Sequence, residues 1–275
     1  MSSIESLLRA ATLPESPSAR LDAEWLLAAA LGKPTSYLRT WPEREVPADC
    51  EARFVADLAR RRLGEPIAYI LGRQGFWCLD LEVAPHTLIP RPDTELLVET
   101  ALRLLPATPI DVLDLGTGTG AIALALAHDR PNWSVTGVDR IPEAVTLAAR
   151  NAARLQLANA RFLESQWFSA LGGQRYAMIV SNPPYVRACD PHLRQGDLRF
   201  EPGSALVAGE DGLADIRQIV SSAPDHLSLG GWLLLEHGYD QADDVRRLLA
   251  ARGFADVDSC KDLGGHERVS LGRWS

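Results

Sequence analysis

The chain has 275 residues, enough for one large α/β domain and a smaller appendage. Its 46% hydrophobic and 23% charged content is that of an ordinary globular protein, which excludes disordered and fibrous classes. A net charge of −8 argues against a protein that coats nucleic acid, because phosphate neutralisation needs clustered Lys and Arg. The longest apolar runs, Ala121 to Ala127 and Trp232 to Leu235, are too short to span a bilayer, so no membrane association is expected. The first residues carry no basic and apolar leader pattern. Cys50, Cys78, Cys189 and Cys260 are scattered, which predicts reduced thiols in a cytoplasm, and the six histidines show no metal-ligand spacing.

Residues 1–73 read as a small helical bundle of four or five helices. Apolar residues recur at helical spacing in Ile4-Leu7-Leu8-Ala11, Leu21-Trp25-Leu26-Ala29 and Phe54-Leu58-Arg61-Leu63. Ser18 and Asp49 are the expected caps, with Pro14, Pro34 and Pro47 between helices. Charges balance here, ten basic against ten acidic, so the acidic excess lies in the remainder. Arg60-Arg61-Arg62 is the densest basic patch and reads as a solvated helix face, or as a contact for RNA or an acidic partner. Residues 74–87 contain the strand-forming run Phe76 to Val83, closed by Pro85, and read as a hairpin linking two domains.

Residues 88–275 alternate short apolar runs with amphipathic helices. Strands are expected at Asp111–Leu115, Ser134–Val138, Arg161–Leu163, Met178–Val180 and Trp232–Glu236. Helices are expected at Gly120–His128, Pro142–Leu155, Leu213–Ala223 and Ala242–Ala251. Phe254–Ser259 and Arg268–Leu271 form a closing hairpin. The pattern predicts an α/β fold: a doubly wound, seven-stranded, mostly parallel sheet whose C-terminal hairpin adds one antiparallel strand.

Asp114-Leu115-Gly116-Thr117-Gly118-Thr119-Gly120 follows a strand and opens a helix. Its glycines let the backbone approach a ligand and take positive φ. The spacing is Gly-x-Gly-x-Gly rather than that of dinucleotide enzymes, which favours a ligand without a pyrophosphate over a nicotinamide or flavin. Asp139 ends the next strand, where a carboxylate can accept from ribose hydroxyls. The arrangement resembles motif I of the class I S-adenosylmethionine-dependent methyltransferases. The resemblance implies that Gly116, Thr117, Gly118, Thr119 and Gly120 hold the methionine end, Asp139 the ribose, and Trp167 the adenine.

Asn182-Pro183-Pro184-Tyr185 directly follows the strand Met178–Val180. Two prolines stiffen the backbone and leave carbonyls free to accept. An amide nitrogen is a poor nucleophile because its lone pair is delocalised, a conjugation visible in the roughly 18–20 kcal/mol barrier to amide rotation. Acceptors on both N–H bonds, the Asn182 side chain and the Pro183 carbonyl, would turn that lone pair toward an electrophile and stabilise the growing positive charge. Tyr185 can stack on the planar group. No metal is needed. The tetrapeptide resembles motif IV of amino-group methyltransferases, which act on adenine or on glutamine.

The whole chain is similar to the PrmC/HemK family, which methylates the glutamine of the Gly-Gly-Gln motif in class 1 peptide-chain release factors. The matching stretches are Gly64 to Ile67, Leu88 to Glu95, Ser181 to Tyr185, Arg199 to Pro202, Leu235 to Gly238 and Glu267-Arg268. The resemblance implies S-adenosylmethionine as cofactor, Asn182 beside the acceptor glutamine, and a helical domain that grips the release factor. It puts Arg91 and Asp93 near the mouth of the site, or in a structural ion pair, and makes Glu201 and His237 architectural. Gln166 departs from the acidic residue often found before Trp167. The other readings are an N6-adenine DNA methyltransferase, for which the acidic chain lacks a target-recognition domain, and a noncatalytic scaffold, which leaves Asn182 to Tyr185 without a purpose.

Overall fold

The computed structural model describes residues 2–275. Two compact units are present. One is the chain up to Arg73 together with His192–Phe200, and the other is Gln74–Pro191 with Glu201–Ser275. His192–Phe200, placed by sequence inside the α/β domain, groups with the helical unit, and residues 74–87, read from sequence as a linker, fall within the second unit.

Among its described residues that unit holds five α-helices, α1 (Ile4–Ala10), α2 (Ala19–Leu31), α3 (Thr35–Thr40), α4 (Ala48–Arg62) and α5 (Ile67–Leu71), with short 3-10 turns in the segment from His192. Ser3 caps α1 by accepting from the Ser6 amide, and Pro34, Pro47 and Pro66 stand at the caps of α3, α4 and α5. Asp49 is therefore not the expected cap of α4. It lies in the first turn, where its charge faces the positive end of the helix dipole. Ser18 does occupy the cap position of α2, but its hydroxyl donates to Asp22 instead of receiving a backbone amide. The buried stripe of α2 is Ala23, Leu26, Leu27 and Ala30, at helical spacing, so Leu21 and Trp25 are left exposed, as is Leu63 after α4. Leu26, Leu27, Leu38, Phe54 and Leu58 form the centre of this core.

The basic run is not a solvated face throughout. The Arg61 side chain is 9% exposed and bridges two carboxylates, Asp22 Oδ2 at 2.8 Å and Asp197 Oδ1 at 2.9 Å. Arg60 pairs with Glu65, and Arg62 donates to the Thr12 carbonyl.

A ribbon of β1 (Arg73–Phe76) and β2 (Leu79–Glu82) turns at Trp77-Cys78, so the hairpin begins earlier than the run Phe76 to Val83 suggested. Asn151 fastens its end to the rest of the second unit. The buried Asn151 amide accepts from Glu82 N and donates to the carbonyls of Glu82 and Thr119. Next come α6 (Glu95–Leu104), which sequence reading passed over, then β3 (Asp111–Leu115), α7 (Ala121–Asp129), β4 (Ser134–Asp139), α8 (Pro142–Leu155), β5 (Ala160–Glu164) and β6 (Tyr176–Ser181). The chain continues through α9 (Ala214–His226), β7 (Leu227–Glu236), α10 (Ala242–Arg252), β8 (Ala255–Lys261) and β9 (Glu267–Arg273).

The seven long strands form one sheet in the order β5-β4-β3-β6-β7-β9-β8. All pairs from β5 to β7 are parallel, and only β9 runs against its neighbours, as the terminal hairpin predicted. Alternation along the strands feeds two cores. Val112, Val180 and Leu234 face α6 and α7, whereas Leu113, Leu115, Ile179, Leu233 and Leu235 face α9 and α10. Strand order reverses beside β3, because β4 lies on one side and β6 on the other. The carboxyl ends Leu115, Asp139 and Ser181 thus open a crevice at the switch point, where doubly wound folds bind ligands. No helix among the described residues is long and apolar enough to cross a membrane.

Candidate active site

A cleft of about 950 Å³, its open mouth included, lies at these strand ends. Its wall includes Thr94, Gly116, Thr117, Gly118, Thr119, Asp139, Trp167, Asn182 and Pro184. The structure thereby brings together most residues singled out from sequence. Gly120, Pro183 and Tyr185 stand outside the lining.

The glycine turn is built from positive φ at Gly116 (70°), Gly118 (57°) and Gly120 (84°). Gly120 has a packing reason as well: a Cβ there would come within 3.0 Å of Leu124 and 3.2 Å of Ala148. Two carboxylates hold the turn. Asp114, fully buried, accepts from Thr117 Oγ1 at 2.6 Å and from the Ala123 amide at 3.2 Å, and burial pushes it up to about 7. Asp139 accepts from Gly118 N at 3.0 Å and Ile141 N at 2.9 Å, one bond on each oxygen. Each of its oxygens keeps a lone pair for a ligand. The Trp167 ring lies 3.5 Å from where a Cβ on Gly116 would be, and its backbone has a φ of 51°. Asp215, at the start of α9, accepts from Trp167, and burial raises its pKa. Sequence reading missed Asp215 because nothing local marks it. Gln166 also lines the cleft.

Beside the turn, Ser181 closes β6 by donating to the Leu115 carbonyl at 2.7 Å, which ties the start of the tetrapeptide to β3. Asn182 Nδ2 donates to Thr94 Oγ1 at 3.1 Å, and Asn182 Oδ1 has no partner among the described residues. Pro183 is buried. Tyr185 Oη donates to Glu236 Oε1 at 3.3 Å, and its carbonyl accepts from Gln241 Nε2 at 3.1 Å. Burial and the neighbouring Glu236 push the Tyr185 hydroxyl well above its ordinary value. Glu236 itself is pushed up to about 7 by burial.

Arg91 lines the cleft and is paired with Glu201, which also accepts from Ile89 N at 3.0 Å. Asp93 pairs with Arg268 at 3.4 Å. His237 is buried between Ser270 Oγ and the Gly238 carbonyl, and its pKa is lowered by burial. The one grouping of three potential metal ligands among the described residues, Cys78, His128 and Asp129, does not line the cleft.

Comparison with known proteins bears on this geometry. Residues 3–72 match the family described as the PrmC N-terminal domain, and residues 92–195 match the methyltransferase small domain. The release factor glutamine methyltransferase of Pseudomonas aeruginosa is 68% identical over 275 residues, covering 100% of both chains. That of Escherichia coli K12 is 52% identical over 262 residues, 95% of each chain. Among solved structures, the 16S rRNA methyltransferase RsmC of T. thermophilus, in complex with AdoMet and guanosine, superposes with a TM-score of 0.53. It is 22% identical over 74% of this chain and 50% of its own, a likeness of fold.

Proposed function

Because the chain belongs to the release factor glutamine methyltransferase family, we propose that it methylates the side-chain amide N5 of the glutamine in a Gly-Gly-Gln motif of class 1 peptide-chain release factors, using S-adenosylmethionine. When bound, S-adenosylmethionine supplies a methyl carbon made electrophilic by its sulfonium. The residues of the cleft fit that molecule. Gly116 to Thr119 offer backbone rather than side-chain bulk, the spare lone pairs of Asp139 suit a ribose diol, and Trp167 offers an aromatic surface to adenine. Gly120 contributes by starting α7.

The observation that carries the reading is the state of Asn182. It lines the same cleft as the glycine turn, with its amide nitrogen already engaged and its oxygen free. A glutamine NH₂ needs two acceptors, which Asn182 Oδ1 and the Pro183 carbonyl provide. Held this way, the nitrogen turns its lone pair out of conjugation, and the charge it gains meets oxygens already oriented. The proton leaves after transfer, so no strong base is required. Tyr185 supports the stacking surface, with its hydroxyl fixed on Glu236. The helical unit grips the release factor, and the four free cysteines fit a cytoplasmic setting.

Labelled S-adenosylmethionine offered with purified release factor, and separately with DNA, tests this reading. Label on the release-factor glutamine is the expected result. Label on DNA alone would overturn it in favour of an adenine methyltransferase, and label on neither would leave a binding protein.

A further inference from the structure

Away from the cleft, the fold gathers three side chains that the sequence scatters. Cys78 stands at the turn of the β1–β2 ribbon, and His128 and Asp129 end α7. His128 Nδ1 lies 3.5 Å from Cys78 Sγ and 2.9 Å from Asp129 Oδ1, and one donor atom from each residue lies within 4.8 Å of the other two. A thiolate, an imidazole nitrogen and a carboxylate oxygen bind zinc at about 2.3, 2.0 and 2.1 Å. At tetrahedral angles those bonds set sulfur about 3.6 Å from nitrogen, and nitrogen about 3.4 Å from oxygen. The first spacing is already present, and the second needs the imidazole and carboxylate to part by about half an ångström. The His128 side chain is 47% exposed and that of Asp129 27%, which leaves room for the shift, for entry of an ion and for a water as fourth ligand.

Asp129 is also held from behind. Its Oδ2 accepts from the Trp77 indole nitrogen at 3.2 Å, while Oδ1 faces His128. Outer partners of this kind orient metal-binding carboxylates. Trp77 is fixed in turn, because its amide donates to Glu95 Oε1 at 2.7 Å, and so the residue next to Cys78 is pinned. We propose that Cys78, His128 and Asp129 form a surface site for a divalent ion of the zinc class, which clamps the turn of the ribbon to the end of α7. The thiol releases its proton to solvent as sulfur binds. On His128 the ion takes Nδ1, and the hydrogen of the neutral ring sits on Nε2. Thiolate and carboxylate then balance the two charges of the ion. Sulfur and nitrogen donors select against magnesium and calcium, which take oxygen ligands. None of the three residues lines the cleft, so the ion has no part in methyl transfer and acts on stability.

The test is a titration of the reduced, metal-free full-length protein with cobalt(II) and then zinc(II). Cobalt should bind at one equivalent and give the ultraviolet absorption of a thiolate–cobalt bond. Zinc, which binds such donors more tightly, should displace it, with a dissociation constant in the micromolar range or below. Cys78→Ser should abolish the absorption although Cys50, Cys189 and Cys260 remain. His128→Ala and Asp129→Asn should each weaken zinc binding by about tenfold or more. Zinc should also raise the melting temperature of the unaltered protein by about 2–4 °C and leave that of Cys78→Ser where it was. No thiolate–cobalt absorption, an absorption that survives in Cys78→Ser, or zinc binding unchanged in His128→Ala and Asp129→Asn would each overturn the proposal. An affinity for zinc weaker than the micromolar range would overturn it too, and would leave the three residues a hydrogen-bonded surface cluster.

Discussion

Asp139 and Gly118 are joined at 3.0 Å by a carboxylate oxygen and a backbone amide, so the end of β4 holds the middle of the glycine turn. The same side chain grips Ile141 N at 2.9 Å. A residue expected to meet the cofactor therefore also shapes the loop beside it, and the two roles make its replacement doubly costly.

Asp139→Ala should weaken S-adenosylmethionine binding by more than tenfold, since hydrogen bonds to a charged group are worth about 1.5–3 kcal/mol each. Asp139→Asn, which keeps one acceptor oxygen, should fall between. Calorimetry measures both, and an Ala variant with undiminished affinity would remove Asp139 from the cofactor site.

Asn182→Ala should lower the rate of methyl transfer by about 10²–10³-fold, the usual cost of losing one preorganised hydrogen bond at a reacting centre. Cofactor affinity should change little, because the Gly116 to Thr119 wall and Asp139 remain. Rapid-quench single-turnover kinetics separates the two quantities. A full rate in this variant would show that Pro183 and its surroundings suffice.

Gly137 is in β4, and a Cβ there would lie 2.6 Å from both Thr117 Oγ1 and the Phe162 ring. Gly137→Ala should thus cost about 1–3 kcal/mol of stability, the range for overpacking a filled site. It should also disturb Thr117, and with it the glycine turn. Thermal denaturation with and without S-adenosylmethionine would register both effects. An unchanged melting temperature would mean that the sheet yields easily at this point.

Asp114 predicts a pH dependence of stability. Its folded-state carboxyl titrates near 7 against an ordinary value of 3.8, so the folded chain holds a proton that the unfolded chain has lost. Stability from this group is greatest below about pH 4, falls as pH rises to about 7, and is level beyond; the full effect is on the order of 4 kcal/mol. Asp114→Asn keeps an acceptor for Thr117 and Ala123 but does not titrate. Urea denaturation between pH 5 and pH 8 should show a shallower slope in that variant, and identical slopes would assign the dependence to other groups.

In the helical unit, Arg61→Met should destabilise by about 3–5 kcal/mol, because it leaves the buried Asp22 without its cationic partner, with only the Ser16 and Ser18 hydroxyls to answer its charge. The double variant Asp22→Asn with Arg61→Met should be less damaging than the single one. Limited proteolysis of the first 73 residues would rank them, and equal sensitivity would mean the pair is dispensable.

The sheet and its order of elements were legible because Val112, Leu113 and Leu115 of β3 and Met178 to Val180 of β6 put apolar side chains on both faces, while α8 has one clean stripe. The glycine turn and tetrapeptide were legible because their chemistry lies in adjacent residues. What escaped depended on distance along the chain. Thr94 reaches Asn182 across 88 positions, Arg61 reaches Asp197 across 136, and neither pairing leaves a local pattern. The helix α6 escaped because it directly follows the proline-bearing stretch Pro90 to Asp93, which reads as a loop. Leu21 and Trp25 misled by hydrophobicity alone, since the face of α2 turned inward runs through Ala23, Leu26, Leu27 and Ala30 instead.

The position of β9 has a bearing on how the molecule is assembled. It is made after β7 and β8 yet lies between them, and it supplies all the ladder bonds of β8 within the sheet. Until β9 arrives, β7 presents an open, hydrophobic flank, and β8 has nothing to zip onto. Such an exposed flank can recruit the wrong strand from another molecule, so docking of the hairpin also closes an edge open to mispairing.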